Sequence, residues 1–189
     1  MTRQANTGFT IWLTGLPAAG KTTLATNLAA RLSSGGAALT VLDGDRLRQG
    51  VSRDLGYDAA SRTEQARRTA QLAASAASKG EIAIVALVSP YASDRRAARA
   101  LHVGKQLAFV EVHVATPLAE CERRDPKGLY AKGRRGKVTQ VTGLDGPYEP
   151  PANPDLVVGR RQETPEEMVD AALELLAIRR LISSPPDHS

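Results

Sequence analysis

The octapeptide from Gly15 to Thr22 constrains this chain more than any other feature of its sequence. It reads Gly-Leu-Pro-Ala-Ala-Gly-Lys-Thr and matches the pattern G-x-x-x-x-G-K-[ST]. Gly15 and Gly20 allow a tight turn whose backbone N–H groups point inward at a phosphate. Lys21 can reach the β- and γ-phosphates of a nucleotide, and Thr22 can ligate Mg²⁺. The motif therefore predicts a nucleotide phosphate site and leaves the reaction open.

The residues on either side of this loop support that interpretation. Residues 9–14 are short, β-branched and aromatic, as expected of a strand, and residues 23–32 carry apolar side chains at helical spacing. The alternative is a Gly-rich turn with an incidental lysine, which needs no such flanks. Because a phosphate loop lies between a strand and a helix, the order of these elements favours the phosphate loop.

The overall composition indicates one cytoplasmic domain. The chain has 189 residues, of which 42% are hydrophobic, and this length suits a single domain with a continuous core. Its apolar stretches fall short of the roughly 20 residues that cross a membrane, and its first residues are short and polar, unlike a signal peptide. We therefore expect one domain over residues 1–189, a cytoplasmic location and no membrane partner.

Cysteine and histidine give no sign of a metal centre. Cys121 is the only cysteine, so an internal disulfide is excluded and we expect a packed, inert thiol. His102, His113 and His188 are scattered along the chain, and we assign none of them a catalytic role.

Much of the formal net charge of +5 lies in residues 121–137, which are rich in Arg and Lys. A nucleic-acid surface is one interpretation, and a mobile lid that closes over nucleotide phosphates is another. The run has Tyr130 as its only aromatic residue, so it would stack poorly on bases. We therefore favour the lid and expect no nucleic-acid partner.

Strand-like and helix-like segments alternate along the rest of the chain. Further strands are expected at 39–42, 82–88, 109–114 and 156–158, and further helices at 59–79, 94–102, 117–124 and 165–181. This order predicts an α/β fold of three layers, a doubly wound and mainly parallel sheet with helices on both faces. Residues 125–154, rich in Gly, Pro and charge, are the expected lid, and residues 183–189 the expected flexible tail.

Ligands of such a sheet bind at the carboxyl ends of its strands. Four candidate segments fall there: the phosphate loop, residues 43–45 (Asp-Gly-Asp), residues 89–91 (Ser-Pro-Tyr) and the lid. Carboxylates at the end of a strand suit Mg²⁺ or a substrate hydroxyl.

Five further motifs in this order resemble those of the adenylylsulfate (APS) kinase family, and the resemblance covers nearly the whole chain. They are Leu-Asp-Gly-Asp at 42–45, Arg-Asp-Leu-Gly-Tyr at 53–57, Ser-Pro-Tyr-Ala-Ser-Asp-Arg at 89–95, Arg-Asp-Pro-Lys-Gly-Leu-Tyr at 124–130 and Thr-Gly-Leu-Asp-Gly-Pro-Tyr-Glu at 142–149. The resemblance implies a Mg²⁺-dependent kinase that transfers the γ-phosphoryl group of ATP to the 3′-hydroxyl of adenosine 5′-phosphosulfate. It also suggests a homodimer.

The resemblance assigns roles on the ATP side of the site. Lys21 and the loop backbone would hold the β/γ-phosphates, Thr22 and Asp43 would hold Mg²⁺, and Arg124 would lie over the adenine. The ATP-binding residues are thus Gly15, Leu16, Pro17, Ala18, Ala19, Gly20, Lys21, Thr22, Thr23 and Arg124. Where the family usually has Ser-Gly, this loop has Pro17-Ala18, which is stiffer and still tolerable.

On the acceptor side, the resemblance places Asp45 against the ribose hydroxyl, and it leaves open whether Asp43 or Asp45 is the base. Arg48 and Arg62 would grip the phosphosulfate, for which a planar guanidinium is suited. Ser89 either forms a phosphorylated intermediate or only positions the acceptor, and we favour positioning. The resemblance also places Lys127 at the base of the lid, among the substrate-binding residues.

Three residues around the acceptor base depart from the family pattern. Tyr57 replaces a usual Phe, Gln65 a usual Asn, and Val141 a usual Phe. Tyr57 can still stack on an adenine, whereas Val141 forfeits aromatic stacking worth on the order of 1 kcal/mol. A kinase of the same fold with another small nucleotide or a specialised-metabolism intermediate as acceptor is therefore the alternative.

A GTPase switch is a poorer interpretation of the same loop. The chain lacks an Asn-Lys-x-Asp motif, and its D-x-x-G match, Asp125 to Gly128, follows a predicted helix.

Overall fold

A computed structural model describes residues 8–183 of the chain. The short polar N-terminus and, from residue 184 onward, the expected flexible tail lie outside these residues. The five strands are β1 (Phe9–Thr14), β2 (Leu39–Asp43), β3 (Ile82–Ala86), β4 (Ala108–Val114) and β5 (Leu156–Val158). They form one sheet in the order β2-β3-β1-β4-β5, and all four pairings are parallel.

Seven helices connect or flank these strands in the described part of the chain. They are α1 (Lys21–Ser34), α2 (Gly44–Gln49), α3 (Ala59–Ser78), α4 (Ala92–Gly104), α5 (Leu118–Arg124), α6 (Leu129–Arg134) and α7 (Pro165–Ile178). Two are additions to the prediction: α2 begins directly after β2, and α6 lies inside the segment 125–154. Strand β3 ends at Ala86, two residues before the predicted end.

Apolar side chains of the sheet pack against helices on both faces. On one face, Ile11 and Leu13 of β1 belong to a core that α1 and α7 cover, with Leu28 and Leu173 among its members. On the opposite face, Trp12 belongs to a second core that includes alanines of α3 and α4. The predicted three-layer, doubly wound parallel fold is thus confirmed.

The expectation of a packed thiol at Cys121 agrees with the structure, in which His102 is buried as well. Cys121 is a free, fully buried thiol, and burial raises its pKa. The His102 ring is fully buried and lies 2.9 Å from the Thr10 hydroxyl and 2.8 Å from the Ala98 carbonyl oxygen, contacts that hold the ring within the fold. Over residues 8–183, no helix is both long and apolar enough to cross a membrane.

We expect Leu28→Ala to lower the free energy of unfolding by about 3 kcal/mol, because it opens a cavity between α1 and the sheet. Leu28 is fully buried, whereas Leu72 on α3 is 38% exposed and provides the matched Leu→Ala control. Urea unfolding followed by circular dichroism measures both. Equal decreases in the free energy of unfolding of the two variants would contradict the packing described for α1.

Candidate functional site

One large cavity of about 960 Å³ opens at the carboxyl ends of β1, β2 and β3. Most of the predicted site residues line it: Pro17, Ala18, Gly20, Lys21, Thr22, Thr23, Asp43, Asp45, Arg48, Tyr57, Arg62, Gln65, Ser89, Arg124, Lys127 and Val141. Gly15, Leu16 and Ala19 contribute to the loop without lining the cavity. The fold therefore brings the phosphate loop and the predicted acceptor residues to a single site.

The two glycines of the phosphate loop are there for different reasons. A Cβ on Gly15 would lie 2.4 Å from the carbonyl oxygen of Val114, so any side chain would collide with β4. Gly20 has a φ of 103°, which L-residues rarely adopt, and it leads directly into α1. Ala18 also has a positive φ, 60°, so the loop accepts some backbone strain at a position where the family that the sequence resembles usually has glycine.

The buried ammonium of Lys21 is held by the loop that precedes it. Nζ donates hydrogen bonds to the carbonyl oxygens of Gly15, at 2.9 Å, and Leu16, at 2.7 Å. Burial is the main cause that lowers the pKa of Lys21 from 10.5 to about 8. A cation that is this poorly solvated gains strongly from an anionic ligand, such as a phosphate, in the adjoining cavity.

Thr22 and Asp43 form a pair of oxygen ligands at the junction of the loop and β2. The Thr22 hydroxyl donates to Asp43 Oδ2 at 2.7 Å, while Asp43 Oδ1 accepts the backbone N–H groups of Asp45 and Arg46 and so caps α2. A hydroxyl and a carboxylate suit Mg²⁺, which commonly takes one or two protein oxygens and completes its shell with phosphates and water. The donor set therefore fits the predicted Mg²⁺.

Arg48 and Tyr57 form one wall of the cavity, at the place where the sequence predicts the acceptor. The guanidinium carbon of Arg48 lies 4.4 Å from the centroid of the Tyr57 ring, and its NH1 donates to the carbonyl oxygens of Leu55 and Gly56. Tyr57 is 63% exposed, so its ring remains accessible from the cavity. Burial lowers the pKa of Arg48, which marks it as a charge held partly away from water.

Arg62 links that wall to the segment 125–154. Its guanidinium donates to the carbonyl oxygens of Tyr57, at 2.7 Å, and Gln140, at 2.9 Å. The buried Gln65 donates to the Gly44 carbonyl oxygen at 3.0 Å and thereby supports the turn between Asp43 and Asp45. Both side chains therefore hold backbone carbonyl oxygens of the segments that form the cavity wall.

The hydroxyl of Ser89 is already engaged within the protein. Ser89 is 2% exposed; its Oγ accepts a hydrogen bond from Trp12 Nε1 at 3.0 Å and donates to the Leu87 carbonyl oxygen at 3.2 Å. Its φ of 38° is unusual for a residue other than glycine. This geometry holds a sharp turn after β3 and leaves the hydroxyl poorly placed to attack.

Residues of the segment 125–154 and of the preceding helix α5 face the cavity. Lys127 forms an ion pair with Asp45 across it, and both side chains are largely exposed. Arg124, on α5, bonds to Glu120 and approaches the Ala19 carbonyl oxygen, beside the phosphate loop. The sequence analysis assigned roles to Asp45, Lys127 and Arg124, but it did not predict the ion pair between Asp45 and Lys127.

Val141 turns away from solvent. It is 2% exposed and belongs to the core on the α1 side of the sheet. A Cβ on Gly133 would lie 3.1 Å from its Cγ2, so Val141 packs closely on α6. Val141 thus presents only an aliphatic edge to the cavity, and at this position no aromatic ring faces the cavity.

Tyr130 was not among the predicted site residues, although it lines the cavity. Its hydroxyl donates to the Pro17 carbonyl oxygen at 3.0 Å and ties α6 to the phosphate loop. The sequence signal was present, since Tyr130 ends one of the motifs described above, but its partner is 113 residues away.

Comparison with known proteins agrees with the geometry. A family model described as adenylylsulphate kinase matches residues 7–159. The adenylyl-sulfate kinase of Pseudomonas aeruginosa is 47% identical over 92% of this chain and 83% of that protein. The bifunctional enzyme NodQ of Rhizobium sp. (strain N33) is 43% identical over 93% of this chain, which spans only 27% of NodQ.

A solved structure, that of the Mycobacterium tuberculosis APS kinase CysC in complex with AMPPNP and APS, shares the fold. It superposes with a TM-score of 0.87 at 43% identity and covers 89% of this chain and 97% of that one.

We expect the lowered pKa of Lys21 to appear in the pH dependence of stability. Between pH 8 and 10.5 the unfolded chain holds this proton while the folded chain has lost it. The free energy of unfolding of the wild type, relative to Lys21→Met, should therefore rise over that window by up to about 3 kcal/mol. Denaturant unfolding at a series of pH values measures it, with the exposed Lys105→Met as matched control. A difference independent of pH would contradict the buried ammonium.

Proposed function

The chain belongs to the adenylylsulphate kinase family, and from that membership we propose that it phosphorylates adenosine 5′-phosphosulfate. The γ-phosphoryl group of ATP is transferred to the 3′-hydroxyl of APS, which gives 3′-phosphoadenosine 5′-phosphosulfate and ADP. The observation that carries this proposal is the shared cavity, in which Lys21 lies on one side and Arg48 and Arg62 on the other.

On the donor side, the chain supplies charge and orientation. When a nucleotide binds, the Lys21 ammonium exchanges the carbonyl oxygens of Gly15 and Leu16 for the β/γ-phosphates, and the loop N–H groups surround the same anion. Thr22 and Asp43 would hold Mg²⁺, which neutralises charge on the phosphates when it is bound. This arrangement positions the γ-phosphorus for in-line attack without an enzyme nucleophile.

On the acceptor side, we propose that Asp45 orients the 3′-hydroxyl and receives its proton. Both oxygens of Asp43 already accept hydrogen bonds, from Thr22 and from the α2 backbone. Asp45 pairs instead with the exposed Lys127, a partner that an incoming substrate can displace. Arg48 and Arg62 would contact the phosphosulfate, and Tyr57 would stack on the adenine.

We further propose that residues 125–154 act as a lid within a single kinase domain. The segment carries Lys127, receives a hydrogen bond from Arg62 at Gln140, and contributes Val141 to the cavity wall. Closure over the bound substrates would exclude water from the transferring phosphoryl group. The family resemblance also suggests a homodimer, and a small-molecule kinase that uses ATP suits the cytoplasm.

One observation keeps a second acceptor under consideration. Val141 is buried against α6, so a base stacked on Tyr57 meets an aliphatic group on its other side. Another small nucleotide could bind to Arg48, Arg62 and Tyr57 in the same way with little loss of affinity. Initial rates with APS and with other adenylates at matched concentrations separate the two candidates. No turnover of APS with Mg-ATP would reject the first.

We expect Lys21→Ala and Asp45→Asn each to lower kcat/KM for APS by about a hundredfold or more, since each removes a group that acts on the transferred phosphoryl or its acceptor. Release of ADP in a coupled assay measures this. Asp54→Asn is the matched control, because Asp54 pairs with Arg68 on the surface and lies outside the cavity lining. An Asp45 variant with normal activity would remove Asp45 from the reaction.

We expect no phosphorylated enzyme on the reaction path, because the Ser89 hydroxyl is buried and hydrogen-bonded to Trp12 and Leu87. Rapid mixing of the enzyme with APS and γ-labelled ATP, followed by acid quench, should yield label in the product alone. Ser89→Ala should retain turnover to within about tenfold, as one lost positioning hydrogen bond predicts. A labelled protein that forms and decays at the rate of turnover would contradict this assignment.

A further inference from the structure

Arg95 is a buried charge that joins three separate parts of the chain. It lies in the first turn of α4, is 3% exposed and is not among the residues that line the cavity. Its guanidinium donates to Glu111 Oε1 on β4 at 2.9 Å, to the Ser89 carbonyl oxygen at 2.7 Å and to the Glu149 carbonyl oxygen at 2.6 Å. Each of its three nitrogens therefore serves a different segment.

The charge of Arg95 is balanced by a network behind the site. Glu111 also approaches Arg99 at 3.6 Å, and Asp155 accepts hydrogen bonds from Arg99, from Arg179 and from the Glu111 backbone N–H. A buried guanidinium needs such compensation, or its desolvation would outweigh its contacts. With Glu111 fixed in this way, the rigid fork of Arg95 can hold its two backbone partners in a defined geometry.

Those two partners belong to segments that are distant in sequence and adjacent in the fold. Ser89 carries the strained φ of 38° in the turn that follows β3 and lines the cavity. Glu149 lies near the carboxyl end of the segment 125–154. The two regions are also joined directly, since the Glu149 N–H donates to the Pro90 carbonyl oxygen at 2.8 Å and the Ala92 N–H to Glu149 Oε2 at 2.7 Å.

We propose that Arg95 is a positioning residue for the acceptor, which fixes the turn at Ser89 and the carboxyl-terminal anchor of the lid as one unit. This inference rests on the proposed function. Arg95 has no hydrogen bond to the phosphate loop or to Asp43, so we expect it to act on the acceptor side of the cavity. Its link toward the ATP side is indirect, since the Ser89 carbonyl oxygen also lies 3.5 Å from the hydroxyl of Thr14, which precedes the loop.

Arg95→Lys tests the inference, because lysine keeps the charge beside Glu111 but cannot span both carbonyl oxygens. We expect the KM for APS to rise about tenfold, as the loss of a charge-assisted hydrogen bond to each partner predicts. The KM for ATP should stay within about twofold of the wild-type value, as for a substitution remote from that site.

Arg99→Lys is the matched control. Arg99 lies one turn further along α4 and pairs with Glu111 and Asp155, but it has no hydrogen bond to residue 89 or 149. We expect it to lower the melting temperature while both KM values stay near those of the wild type. Equal changes in both KM values for Arg95→Lys, or none in a folded variant, would overturn the positioning role.

A second variant decides the matter if Arg95→Lys fails to fold. Glu149→Ala removes only the exposed carboxylate that accepts the Ala92 N–H, so the core is untouched. This variant loosens the same anchor while the Glu149 carbonyl oxygen that Arg95 holds remains. We expect a smaller, selective rise in the KM for APS. An unchanged value would show that the anchor does not position the acceptor, and that result would overturn the inference.

A measurement on the protein without substrate tests this inference independently of the proposed function. Amide hydrogen exchange at Ala92 and Glu149, followed by NMR, should be faster in Arg95→Lys and unchanged in Arg99→Lys. If the wild type does not turn over APS, the proposed function fails and exchange alone decides. Unchanged exchange at both amides would show that Arg95 does not hold the anchor.

Discussion

Strand β1 pairs in parallel along both of its edges, with β3 and with β4, and this central position determines where the functional groups can lie. Because every pairing in the sheet is parallel, the carboxyl ends of all five strands lie at the same edge of the sheet. The phosphate loop follows β1, Asp43 ends β2, and Ser89 follows β3. Their meeting in one cavity is thus a consequence of sheet topology, and each loop then needs only a short local adjustment to face the others.

Two buried cations beside the cavity illustrate two different uses of burial. Lys21 is held by neutral carbonyl oxygens, and desolvation lowers its pKa, so its charge is incompletely satisfied until an anion arrives. Arg95 is paired with Glu111 inside a larger ionic network and has its other donors occupied by backbone. The first is therefore suited to bind and release a ligand, and the second to stay in place.

The sequence predicted the order of elements, the parallel sheet and most of the cavity lining, because local apolar patterns and ordered motifs carry that information. It did not predict that Ser89 would bond to Trp12, 77 positions away, or that Val141 would pack into the core. Helix α6 was also missed, since it is only six residues long and contains Gly133. Contacts between distant segments decide these features, and no local periodicity reports them.

The ion pair between Asp45 and Lys127 has a consequence for the approach of substrates. Both proposed substrates, APS and ATP, are anions, and a cavity with an unpaired Lys127 at its mouth would attract them over a distance. Since Asp45 neutralises that lysine, the long-range field at the entrance depends more on Arg48, Arg62 and Lys132, which line the same cavity. Encounter with these substrates would thus be steered mainly by Arg48, Arg62 and the 125–154 segment. The charge of Lys127 would become available only after contact, once Asp45 makes its proposed hydrogen bond to the acceptor.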